Sequence, residues 1–258
     1  MTAVRLPASP PHRAAAALLA VLSVGACSGE RPTLADTADT TTTSTATTTT
    51  APAPVVAEVA QAKESSIDVY ATEAAEAADQ QLEAGVATSI DTIPLVFLVK
   101  RKGAERLEVH LPLGPADRSG WVDADDVTVT SVAHRIEVGL SEHRLRVFDG
   151  DAVILDEPAV IGLDDRPPPG EVYYLKELVE PPDPDGTYGS FAYGLSGFAN
   201  GLEAFADEEG VVGIHGTDDP EALGEDASSG SIGVDNAVIQ RLVSDIGLPL
   251  GTPVEVLE

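Results

Sequence analysis

The residues with the greatest capacity for chemistry fall in one stretch, Gly213–Asn236, which reads G-I-H-G-T-D-D-P-E-A-L-G-E-D-A-S-S-G-S-I-G-V-D-N. His215 supplies a base that titrates near neutrality. Thirteen to sixteen residues on, Ser228, Ser229 and Ser231 supply hydroxyls in a glycine-containing turn. A serine hydroxyl is a poor acid and must lose its proton in concert with attack. It therefore serves as a nucleophile only where a histidine, held in one tautomer, is aimed at Oγ. No carboxylate can be nominated from the sequence to orient His215. The competing reading is a polar Gly/Ser loop ahead of a helix, with His215 hydrogen-bonded into it. There is no H-E-x-x-H, C-x-x-C or phosphate-binding glycine loop, and adjacent acids such as Asp218–Asp219 and Asp125–Asp126 read as solvated pairs. No metal or cofactor is expected.

The elements around this stretch must position it. Val238, Ile239, Leu242, Val243 and Ile246 share one face of a helix over Asp235–Gly247, capped by Asp235 or Asn236 and ended by Gly247 and Pro249. The alternating run Pro253–Leu257 should close a sheet. Upstream, Arg135–Gly162 reads as two or three strands with a hairpin turn at Asp149–Asp151. Pro167–Pro169 form an extended, donor-poor loop leading into a strand at Val172–Leu178. Glu180–Phe198 is rich in Pro, Asp and Gly and reads as a long ordered loop, whose Tyr188, Phe191 and Tyr193 either line a groove or pack the loop onto the sheet. Earlier still, short β-like runs at Ile67–Tyr70, Pro94–Val99, Arg106–Leu111 and Gly120–Val122 alternate with turn residues. Glu73–Glu83 favours helix by propensity alone.

These features carry a resemblance. Gly213–Asn236 is similar to the active-site segment of the L,D-transpeptidase (YkuD-type) catalytic domain, G-h-H-G-T followed by S-H-G-C-I-R-[ML]-x-N. His215 and Ser228 keep their spacing, but Ser229 stands at the family's second His, Ser231 at its nucleophilic Cys and Gly233 at its Arg. The hairpin phrase L-S-x-x-x-L-x-V and the run Glu180–Phe198 also agree with the family. At Arg166–Leu178 the fit is looser. Leu95–Val127, with its G-W-V, resembles the SH3-type wall-associated modules that precede such domains. Trp121 reads as core in preference to a ligand platform, and Glu73–Glu83 as an excursion between strands.

The resemblance implies a mainly β chain. A small SH3-like barrel over residues 66–131 is followed by an L,D-transpeptidase-type β-sandwich domain over 134–258 with one packed helix. It implies that His215 is the base, oriented by the Gly216 carbonyl, and that amides around Gly230–Ser231 form the oxyanion hole. The ligands implied are peptidoglycan stem peptides, which the family joins into cross-links through a cysteine acyl-enzyme without a metal. Three changes to small side chains within five residues read as joint loss of the reactive set, and hence as a protein that binds stems, or a wall-enzyme partner, without turnover. The alternative is a serine-based acyltransferase or hydrolase using Ser231 with His215.

Cysteine count sharpens this. Cys27 is the only cysteine of 258 residues, so no thiol is left for catalysis if Cys27 is used elsewhere. Residues 1–26 have a basic start, an apolar run too short to span a bilayer, and V-G-A-C at Val24–Cys27. This is a signal peptide ending in a lipobox-like sequence, with Cys27 as the lipidated residue. Residues 27–65, with the Thr40–Thr50 tract, read as a disordered tether with a reach of about 30 Å. The expected location is outside the cytoplasm, anchored to the membrane and facing the wall. A formal net charge of −28 argues against nucleic acid as a partner. Cell fractionation tests the anchor: the mature chain should travel with membranes, and Cys27→Ala should release it or stall its processing.

Overall fold

The structure, a computed structural model, describes residues 57–86, 92–114, 118–162, 167–198, 212–228 and 230–258. Cys27 and the tether up to residue 56 lie outside these. The first half contributes β1 (Ala57–Ala62), β2 (Ser66–Val69), β3 (Gln80–Glu83), β4 (Gly85–Val86), β5 (Thr92–Ile93), β6 (Val96–Lys102), β7 (Arg106–His110), β8 (Ser119–Asp123) and β9 (Val127–Val132). Five of them form a sheet in the order β8-β7-β6-β1-β9, while β2 pairs with β3 and β4 with β5. Tyr70 bridges to Trp121 and joins the β2 hairpin to the sheet. Alternation sends Ile67, Val69, Leu107, Val109 and Val122 into one core. Trp121 is buried, with the Arg101 guanidinium 4.8 Å above its ring, so it packs as core. The helix-prone Glu73–Glu83 forms turns and then β3. Arg106 fixes those turns by donating to the carbonyls of Glu73 and Ala75 while lying 3.4 Å over Tyr70.

The folded part starts earlier than residue 66. β1 is an interior strand between β6 and β9, with Val59 opposite both Leu98 and Thr130. Its neighbours Val59 and Ala60 are both buried, on opposite faces. Burial on two faces removes the apolar/polar alternation that would have marked A-E-V-A-Q-A as a strand.

The second half contributes β10 (His134–Gly139), β11 (Arg144–Asp149), β12 (Ala152–Pro158), β13 (Ile161–Gly162), β14 (Val172–Val179), β15 (Ala192–Leu195), β16 (Gly213–His215), β17 (Asp226–Ser228), β18 (Ile232–Gly233), α1 (Asn236–Arg241) and β19 (Pro253–Leu257). An eight-stranded sheet runs β12-β11-β10-β19-β14-β15-β16-β18. α1 packs against it through Ile239 and, in the π-helical turn Leu242–Ile246 that follows, Leu242. Asp235 caps α1 by accepting from the Ala237 amide at 2.8 Å. Gly247 ends the helix in the left-handed region at φ 68°. The described residues are mainly β with one packed helix.

β19 closes the sheet from its middle, parallel to β10 and antiparallel to β14. One expectation needs correction. The stretch Glu180–Phe198 is a loop only in part, because Ala192–Leu195 are the buried strand β15. The Gly and Tyr residues that read as loop there are pressed between β14 and β16.

The two halves share their packing. Only Ala133 separates β9 from β10. Leu250 packs on Val59, Val96 and Val132, Tyr174 donates to the His110 carbonyl at 3.2 Å, and the Gly197 amide donates to the Pro112 carbonyl at 2.9 Å. A bulge in β14 turns the adjacent Lys176 and Glu177 into this junction. Both are buried, with Nζ 4.0 Å from Oε1 and Nζ 2.5 Å from the Phe198 carbonyl. Burial lowers the Lys176 pKa to about 8, and Glu177 opposes that fall. A cavity of about 20 Å³ beside the pair is lined by Ile93, Leu95, Pro112 and both charged residues, which is room for about one water.

Gly251 sits at the same junction with φ 89°, and a Cβ there would strike Val59 of β1. Gly251→Ala should lower the stability of the whole unit by about 2 kcal/mol, read as a drop in the urea midpoint with an unchanged slope.

Candidate functional site

Three short strands hold the candidate centre. In β16, His215 lies opposite Ala192 of β15 and beside Gly233 of β18. The Val234 amide donates to the His215 carbonyl at 2.8 Å, so the backbone on both sides of the imidazole is pinned. β16 and β18 run parallel with Ile214 beside Ile232. Strand alternation then puts positions 231 and 233 on the face that carries His215. That register brings Ser231 and His215 to one surface from points sixteen residues apart in the chain.

His215 is only 6% exposed. Its Nδ1 lies 2.5 Å from the Gly216 carbonyl oxygen. A carbonyl can only accept, so Nδ1 carries the hydrogen and Nε2 of the neutral ring keeps its lone pair. Burial lowers the His215 pKa, while the Gly216 hydrogen bond and the charge of Asp218 pull weakly the other way. The imidazole is therefore a neutral base at physiological pH, and the Gly216 carbonyl orients it. The ring of Tyr188 meets it edge-on, with centroids 4.9 Å apart and planes at 80°.

The serine turn is bound up in itself. Ser228 Oγ donates to the Ser231 carbonyl at 2.5 Å and accepts from the Gly230 amide at 3.1 Å. The Gly230 amide therefore points into the turn, not outward as an oxyanion hole would require. Gly230 itself has φ 133°, a conformation reserved for glycine. Ser231 is half-buried, and Ser229 lies outside the described residues. Asp218 and Asp219 are exposed. Asp219 caps the following turn by accepting from the Glu221 amide at 3.2 Å.

Of the three aromatic candidates, the structure brings one to His215. Tyr188 is there. Phe191 packs against the main core. Tyr193 is a correction: at 1% exposure it lies inside the sheet, with its hydroxyl donating to the Leu248 carbonyl at 3.2 Å. It cannot line a groove, because strand alternation in β15 turns it inward. The sequence reading missed Val160, which exchanges two backbone hydrogen bonds with Gly233, at 2.7 and 3.0 Å. A Cβ on Gly233 would come within 3.3 Å of Val160 Cβ, so glycine at 233 matches its neighbour. Asn236 contributes a buried Oδ1 without a hydrogen-bond partner, wedged against Gly189 and Gly216.

The comparisons with known proteins fit this geometry. The model of the YkuD L,D-transpeptidase catalytic domain matches residues 133–256. This half of the chain is similar to that family's catalytic domain. A Bacillus licheniformis protein named for the YkuD L,D-transpeptidases is 28% identical over 127 residues, 49% of this chain and 67% of its own. Among solved structures, a cysteine-to-serine mutant of the Enterococcus faecium L,D-transpeptidase is 23% identical, covers 49% of this chain and 50% of its own, and has a TM-score of 0.38. L,D-transpeptidase 3 of Mycobacterium tuberculosis, in complex with a faropenem-derived adduct, is 18% identical over 54% of this chain and 73% of its own, also with a TM-score of 0.38. The chain spans about half the length of the first solved structures it matches. L,D-transpeptidases act on peptidoglycan stem peptides in the cell wall. No helix of the described residues is long and apolar enough to cross a membrane.

The state of His215 has a measurable consequence for the stability of this domain. Its folded pKa lies below the unfolded value of about 6.5, so below that pH the unfolded chain binds the proton that the folded chain resists. Stability should be fully present above about pH 6.5 and fall as pH drops toward 5. His215→Gln should flatten that slope in denaturant titrations run at each pH.

Proposed function

We propose that this protein is a cell-wall protein that holds peptidoglycan stem peptides beside His215 without turning them over, tethered to the membrane through a lipid on Cys27. Position 231 carries the reading. A framework that keeps a neutral, carbonyl-oriented imidazole presents a hydroxyl where the family presents a thiol, and the adjacent Gly230 amide is engaged by Ser228. A thiol with a pKa near 8.5 is readily drawn to thiolate by an imidazole. A serine must instead be deprotonated during attack, across a geometry shifted by about half an ångström, where a misplacement of about 1 Å can already cost about 100-fold. Among the described residues, the charge acting on His215 is that of Asp218, which is exposed, so no buried carboxylate stabilises an imidazolium. Gly233 removes the family's cation from the same face, and Val160 packs against that position. In this reading the chain is a wall-facing lipoprotein whose Thr/Pro-rich segment lets the folded part reach the stems or a wall-enzyme partner.

Calorimetry with a disaccharide-tetrapeptide, run beside mass spectrometry of the same mixture, tests this. Saturable binding with no cross-linked dimer, no trimmed product and no acyl adduct on the protein is the expected result. Absence of binding to both tetrapeptide and isolated sacculi would remove the proposal. Turnover that disappears in Ser231→Ala would replace it with serine-based acyl transfer through His215.

A further inference from the structure

The first half of the chain reaches the candidate site by a route that ordinary module boundaries would hide. Ile93, on β5, is 8% exposed and forms one buried cluster with Val179 of β14 and Ala192 of β15. Those two are opposite each other in the β14–β15 pairing, and Ala192 is opposite His215 in the next pairing. Tyr188 packs against this cluster with one side and meets the His215 ring edge-on with another. The backbone of Tyr188 is held as well. Its carbonyl accepts from the Gly216 amide at 3.0 Å, and it is the carbonyl of that same Gly216 that accepts from His215 Nδ1.

The next residue, Gly189, has φ 65°, and a Cβ there would lie 2.7 Å from Gly216 Cα, with the Asn236 amide oxygen closer still. The Tyr188–Gly189 segment is therefore clamped to Gly216 at a separation that admits no side chain. The tyrosine ring extends from this clamp, with the His215 ring on one side and the apolar cluster that contains Ile93 on the other.

The geometry points to Ile93 and Tyr188 as positioning residues for His215, which makes the β4–β5 pair of the first half part of the site and not of a separate wall-binding module. Neither is a catalytic residue. Tyr188 sets the burial and edge contact of the imidazole, and Ile93 acts through Tyr188 without belonging to the strands that carry His215. Two consequences separate this role from ordinary core packing. A cavity at Ile93 should change the chemistry of His215, whereas an equal cavity elsewhere in the same half should change stability alone. Loss of the aromatic ring at 188 should change the chemistry of His215 as well, since the edge-on contact to the imidazole is made by the ring.

The test is the imidazole titration of His215, followed by NMR in the full-length protein labelled at histidine Cε1 in detergent micelles, with His215 assigned from His215→Gln. It needs no stem peptide, so it stands apart from the binding experiment above. Ile93→Ala should move the His215 midpoint up toward its ordinary value by roughly half a pH unit, and Tyr188→Ala by about one unit, as water reaches the ring. Tyr188→Phe, which keeps the ring, should move the midpoint less than Tyr188→Ala. Ile67→Ala, which opens a cavity in the first-half core away from this cluster, should lower the urea midpoint as much as Ile93→Ala while leaving the titration unmoved. Should Ile93→Ala fail to fold, Ile93→Val asks the same question with a smaller shift. A His215 midpoint that stays put in the folded Ile93 and Tyr188 variants, or that moves equally in Ile67→Ala, overturns the assignment.

Discussion

A buried imidazole is tolerable only if its ring N–H finds an acceptor, and here the Gly216 carbonyl supplies one at 2.5 Å. Much of the second half follows from making that bond. Gly216 must present its carbonyl to His215 and its amide to Tyr188 at the same time. This brings its Cα against Gly189, and a side chain is impossible at either position. Asn236, at the start of α1, closes over both glycines. The helix, the tyrosine loop and strand β16 therefore meet at the hydrogen bond from the His215 ring to the Gly216 carbonyl, and none can shift without uncovering it.

That bond in turn depends on the sheet being closed behind it. β15 is buried along its whole length, and β16 hangs on it and on β18. The β4–β5 pair of the first half covers the His215 end of β15 through Ile93, while Leu250, Val59 and Val132 weld the two sheets below. The buried Lys176–Glu177 pair sits in this weld. Such a pair rarely adds stability over an apolar replacement, but either member alone would be a buried charge without compensation. Both side chains face the junction because of the bulge in β14, and the Phe198 carbonyl completes the lysine's shell. The junction therefore tolerates one arrangement of the two sheets, in keeping with a site whose neighbours come from both halves of the chain.

Local chemistry explains which parts were legible from the sequence. The Asp149–Asp151 turn, the capped helix with Gly247 at its end, and the strands with one buried face all write their structure in short-range pattern. The His215-to-Asn236 spacing was legible in another way, through its resemblance to the active-site segment of the L,D-transpeptidases. What stayed hidden depends on partners far away in sequence. β1 is buried on both faces and carries only one β-branched residue. β19 alternates like an edge strand yet pairs on both sides. Tyr193 looked like a groove residue until β15 turned it inward, and the Gly230 amide looked available until Ser228 claimed it. Val160 and Ile93 bear on the site only through tertiary contact, and no local signal marks either one.

The site also shows why an inherited base is weak evidence of activity. A nucleophile's side chain usually adds little to stability, because it is kept available to a substrate and not packed away. Exchanging it for a serine of similar size changes the chemistry and barely touches the fold. His215 differs in kind. Deleting its ring would leave the Gly216 carbonyl without its donor and Tyr188 without the surface it packs on, a loss of about 1–3 kcal/mol for an unsatisfied buried acceptor alone. Stability is enough to hold the histidine in place even where nothing is left for it to deprotonate. The presence of His215 beside Ser231 is therefore accounted for by packing and hydrogen bonding, and the weight in judging chemistry falls on residue 231 and on the Gly230 amide beside it.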